Sequence, residues 1–84
     1  MPRYHSPPPS WAVARSAFSG FVHAQLVAGE PAEVWSLWYE HVATGWQCRC
    51  GEPWPCAVVL GLAARWDDRP GWREEWRDGT TMRR

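Results

Sequence analysis

The chain has no lysine, no isoleucine and no asparagine. Those absences track AT-rich codons, so they point to a GC-rich coding sequence and not to a physical demand of the fold. Net charge is also absent, because nine arginines offset nine acidic residues. That removes the simplest basis for non-specific attachment to nucleic acid or to an anionic membrane. No apolar run approaches the roughly 20 residues that a membrane-spanning helix needs. Met1-Pro2-Arg3 leads into prolines and not into the apolar stretch of an export signal. Ser6, Ser10, Ser16, Ser19 and Ser36 lie in no nucleophile elbow, and there is no glycine-rich phosphate loop. His5 and His23 have no carboxylate or cysteine close by in sequence. With no catalytic set, the expectation is a soluble, non-enzymatic protein of a reducing cytoplasm.

Other features are plentiful. Eighty-four residues make one small domain, and chains of this size bury only about 60–65% of their unfolded surface. Many of them therefore need a metal, disulfides or a partner. Eight tryptophans supply large apolar faces, each with one N–H that wants a partner when buried. Such an excess predicts either a dense core or an exposed recognition surface.

Hydrophobic spacing predicts an all-α domain of three to four helices. Residues 1–9 read as a flexible proline-rich leader, residues 10–79 as a single zinc-stabilised helical domain, and residues 80–84 as a frayed tail. Ser10 would cap a first helix running to about Ala28, with Trp11, Ala14, Phe18, Val22 and Leu26 on one stripe and a possible kink at Ser19-Gly20. A second helix, from Pro31 to about Ala43, carries Val34, Leu37, Trp38, His41 and Val42 on one face. A third opens at Pro55 or Cys56; CAVVLGLAARW is apolar nearly all round, which predicts burial. WREEWRDG reads as a short fourth helix.

Between the second and third helices lies HVATGWQCRCGEPWPC, residues 41–56, which contains every cysteine of the chain. His41 falls on the core-facing stripe. Cys48 and Cys50 sit in an irregular, knuckle-like loop with Gly51 at the turn. Cys56 stands at the first turn of the third helix, where free N–H groups favour a thiolate. Three sulfurs and one imidazole are the donor set of a closed, four-coordinate structural zinc site. An iron–sulfur cluster uses the same donors, and ordinary buried thiols beside a core histidine remain a third reading. A Cys48–Cys50 disulfide would be strained and would leave Cys56 odd.

WQCRCGEPWPCA resembles the core of a group of short, mostly uncharacterised actinobacterial proteins whose pattern is approximately W-x-C-x-x-C-G-x-P-W-P-C, often with an upstream histidine. Trp46, Cys50, Gly51, Pro53, Trp54, Pro55 and Cys56 fall on that pattern. Cys48-Arg49-Cys50 is one residue shorter than its C-x-x-C. The resemblance implies a zinc-binding motif and no particular activity. CRC followed by PC also resembles the CDGSH iron–sulfur proteins, but Ala57-Val58-Val59 stands where their Asp-Gly-Ser-His would follow.

Trp35, Trp72, Arg73, Trp76 and Arg77 are the expected partner-binding residues, since Trp and Arg dominate protein–protein hot spots. Intramolecular packing, with arginines covering the indoles, is the competing account. The function expected is a small zinc-stabilised protein-binding module, a regulator or inhibitor of a larger cytoplasmic protein. The alternatives are a nucleic-acid-binding accessory, disfavoured because acids interleave the arginines, and an iron–sulfur redox or sensor protein. Oligomeric state is not legible.

Overall fold

The computed structural model describes residues 8–45 and 47–83. Residues 1–7 of the expected leader, Trp46 of the cysteine segment and Arg84 lie outside the described residues. The order of elements is α1 (Ser10–Gly29), α2 (Ala32–Glu40), a two-residue hairpin of β1 (Ala43–Thr44) and β2 (Gln47–Cys48), α3 (Ala57–Ala64), and two single 3-10 turns at Glu74–Trp76 and Thr80–Met82.

α1 is the longest element, and it is continuous through Ser19-Gly20. Its buried face holds Arg15, Phe18, Phe21, Val22 and Leu26. Trp11 and Ala14, at the start of the predicted stripe, are only half-buried. Gly29, with φ of 136°, ends the helix in a conformation that favours glycine. Pro31 then caps α2, its carbonyl accepting from the N–H groups of Val34 and Trp35.

α2 stops at Glu40, three residues before the predicted end. His41 is its C-cap, and Val42 accepts a hydrogen bond from the Arg49 N–H at 3.1 Å. The chain then turns into the hairpin, with Ala43 opposite Cys48 and Thr44 opposite Gln47. Gly45, at φ 70°, is one of the two residues joining the strands, where tight hairpin turns require positive φ.

α3 starts directly after Cys56, its N-cap. It buries Val59, Leu62 and Ala63 but leaves Val58 41% exposed. Its apolar circumference is therefore only partly covered. The predicted fourth helix is instead the turn Glu74–Trp76, and WREEWRDG is too short to propagate a nucleus. Part of the expected tail packs on the body, as a 3-10 turn at Thr80–Met82. Met82 is fully buried, and its carbonyl accepts from Arg15 Nε at 2.7 Å.

Aromatic rings fill the centre. Phe18 meets Trp38, Trp54 and Trp76 with ring centroids 6.2, 5.8 and 5.4 Å apart. Phe21 packs on Trp72 and Trp76. Trp66, 1% exposed, donates Nε1–H to Glu30 at 2.9 Å, tying the end of α3 to the α1–α2 junction. Trp38, Trp54, Trp66 and Trp76 are buried, and Trp11, Trp35 and Trp72 are half-buried. Among the described residues the tryptophan excess is thus mainly core.

Candidate metal centre

The end of α2, β2, the loop after it and the start of α3 converge on one point. His41, Cys48, Cys50 and Cys56 each offer one ligand atom, and these atoms all lie within 4.8 Å of one another. Cys48 Sγ is 3.4 Å from His41 Nδ1 and 3.6 Å from Cys56 Sγ, and Cys56 Sγ is 3.5 Å from the same nitrogen. Tetrahedral coordination at the usual Zn–S and Zn–N bond lengths sets S···S edges of roughly 3.8 Å and S···N edges of roughly 3.5 Å. Three of the four donors therefore already stand at the corners of such a tetrahedron. Cys50 completes the set within the same 4.8 Å.

Local backbone chemistry puts the donors there. The Cys48 N–H donates to the Glu52 carbonyl at 2.7 Å, and the Gly51 N–H donates to the Cys48 carbonyl at 2.9 Å. Gly51 has φ of 97°, a conformation a side chain would strain. This tight turn lets a one-residue spacer bring Cys48 and Cys50 to the same side. On the other flank, Trp54 Nε1 donates to the His41 carbonyl at 2.9 Å, fixing the C-cap from which the imidazole projects.

The three thiols differ in environment. Cys48 and Cys56 are 2% and 4% exposed, whereas Cys50 is open to solvent. Burial pushes the Cys48 thiol up to about 11. The Glu52 backbone N–H, with help from the neighbouring Cys48, draws Cys50 down to about 7. Cys50 thus ionises more readily than Cys48, and a cation is what would hold Cys48 ionised.

One residue of this region is absent from the sequence reading. Arg15, 9% exposed, donates to the carbonyls of Met82, Gly45 and Trp54 at 2.7, 2.8 and 3.1 Å. Its guanidinium lies 4.9 Å and 5.1 Å from the ring centres of Trp11 and Trp54. It therefore joins α1, the hairpin, the segment before α3 and the C-terminal turn. The signal was present: Arg15 shares its helix face with Phe18 and Val22, three and seven residues on. A groove of about 280 Å³, lined by Arg15, Ser16, Ser19, Trp38, Val42, Ala43 and Trp54, runs beside it.

The expected contact residues differ in exposure. Trp76 is 2% exposed and belongs to the core. Arg73 and Arg77 lie over Trp76 and Trp72, 5.9 Å and 5.7 Å from the ring centres. Arg77 is ion-paired with Asp67 and Glu74, and Arg73 with Glu75. Trp35 is different: half-buried, it stacks on exposed Tyr39 at 6.1 Å and meets His23 edge-on at 6.0 Å.

No protein-family model, no curated protein and no solved structure matches this chain. Among the described residues no helix is long and apolar enough to cross a membrane. The group formed by His41 and the three cysteines could hold a metal ion, and the chain is a small, mainly helical, tryptophan-rich domain built around it.

Proposed function

We propose that the chain is a small zinc-stabilised protein-binding module, a regulator or inhibitor of a larger cytoplasmic protein. The observation that carries the reading is the packing of three sulfurs and one imidazole nitrogen within 4.8 Å. A single ion satisfies so compact a set. A cluster would interpose two or more irons and bridging sulfides between its ligands. Zinc is the ion whose structural sites use this donor set. With all four positions filled by the protein, no coordination site is open for a substrate, so the metal's role is to fasten α2 to α3. Such a site contributes roughly 10–16 kcal/mol of apparent binding energy in zinc-finger peptides, enough to decide whether a small domain folds.

The partner surface is carried by α1 and α2. On α2, Tyr39 is 48% exposed and stacks on the half-buried indole of Trp35, which His23 of α1 meets edge-on. Arg73 and Arg77 are engaged with acids, which favours this face over a nucleic-acid contact. Elemental analysis of the purified protein tests the metal, with one zinc per chain expected. Affinity capture with Trp35→Ala tests the surface: loss of a stoichiometric partner with the far-UV circular dichroism unchanged supports it, and undiminished capture refutes it.

A further inference from the structure

We infer that Cys50 is the point at which a peroxide enters the site, and that its oxidation joins Cys50 to Cys56 and releases the ion. This rests on the zinc reading above. Its geometric basis is the asymmetry among the donors. Cys48 and Cys56 are 2% and 4% exposed, His41 is half-buried, and Cys50 alone of the three sulfurs is exposed. His41, Cys48 and Cys56 stand 3.4–3.6 Å from one another, and the Cys50 sulfur completes the group within 4.8 Å. Cys50 is therefore the one sulfur of the three that a solute can reach. Oxidation of cysteine follows access and thiolate character.

The chemistry closes within the cluster. The Cys50 thiolate attacks one oxygen of hydrogen peroxide; the O–O bond breaks, hydroxide leaves, and Cys50 becomes a sulfenic acid. A second thiolate attacks that sulfur, forming the S–S bond and expelling the remaining oxygen as hydroxide. Two thiolates have then given two electrons to one peroxide, and two protons convert the hydroxides to water. Every sulfur of the set lies within 4.8 Å, so a partner is at hand. Cys48 would close a strained Cys-Arg-Cys ring, which leaves Cys56 as the resolving thiol.

Two of four donors are lost in that step. His41 and Cys48 alone do not make a structural zinc site, so the ion departs and the clamp between α2 and α3 opens. The protein thereby loses its folding energy in response to an oxidant. Peroxide sensitivity is thus a property of the ligand arrangement itself.

The test uses the zinc-loaded full chain titrated with hydrogen peroxide, with zinc release followed by a chromophoric chelator and thiols counted in parallel. Expected are one zinc released per disulfide formed, a Cys50–Cys56 cross-link in the peptide map, and recovery with dithiothreitol and zinc. Brief peroxide treatment with dimedone present should label Cys50; a label on Cys48 or Cys56 overturns the proposal. Cys50→His keeps a fourth ligand that peroxide does not couple, so its zinc release should be slower by roughly ten-fold or more. Equal rates for the two proteins would overturn it. A chain that carries zinc and keeps it through the titration refutes this inference alone, whereas a chain that never carries zinc refutes the reading beneath it.

Discussion

Replacing Arg15 with methionine removes the guanidinium while conserving most of the apolar stem. Two of its acceptors, the carbonyls of Met82 and Trp54, are reached by buried hydrogen bonds, and the third, on Gly45, by a part-buried one. A buried acceptor left without a donor costs about 1–3 kcal/mol, so the two buried carbonyls together represent about 2–6 kcal/mol. Losing the contacts with Trp11 and Trp54 adds about 1 kcal/mol. Relief of the guanidinium's own desolvation, which pulls its pKa down, and the apolar burial of methionine offset part of this. The expected net loss is about 3 kcal/mol, against a total stability of about 4–13 kcal/mol for a domain of 84 residues. Urea unfolding followed by circular dichroism at fixed zinc concentration measures it. Arg15→Lys should restore little, because an ammonium cannot fork to three carbonyls or stack between two indoles. A loss below about 1 kcal/mol for Arg15→Met would show that the carbonyls find water and that Arg15 is not a structural hub.

Cys56→Ser should lose the metal and most of the helical signal together, because binding and folding are coupled; zinc analysis and circular dichroism on the same sample check it. Cys48→Ser should do the same, since its sulfur touches both His41 and Cys56, and retention of stoichiometric zinc would remove Cys48 from the ligand set. Gly79→Ala should destabilise by about 1–3 kcal/mol and lower the thermal midpoint. Gly79 has φ of 75°, and an added Cβ would come within 2.9 Å of Pro55 Cγ. Trp76→Ala should cost about 3–5 kcal/mol as a core cavity. Trp76→Phe should cost much less, because Trp76 Nε1 is buried without a hydrogen-bond partner; denaturant midpoints of the two variants separate these outcomes.

Periodicity located α1, α2 and α3 because their apolar stripes are long relative to their ends. It could not place the end of α2, where Val42 turns away to pair with the cysteine loop, nor the two-residue hairpin, whose strands are too short for an alternating pattern to register. The 3-10 turn at Glu74–Trp76 was read as a helix because two tryptophans four apart imitate a helical face. In space Trp76 enters the core while Trp72 lies at its edge. The grouping of His41 with the three cysteines was legible because four residues of metal-binding type fall within sixteen positions. The difference between buried Cys48 and exposed Cys50 was not, since both flank Arg49 and only the turn at Gly51 distinguishes them. The role of Arg15 is not legible in the sequence, because a single charge on an apolar stripe is recognisable only once the carbonyls that receive it have been brought together.

The central claim is tested most directly by X-ray absorption at the zinc edge on the purified, reduced protein. The account predicts one zinc per chain with three sulfurs at about 2.3 Å and one nitrogen at about 2.0 Å. A chain without stoichiometric zinc, or a metal shell with fewer than three sulfurs, would contradict it.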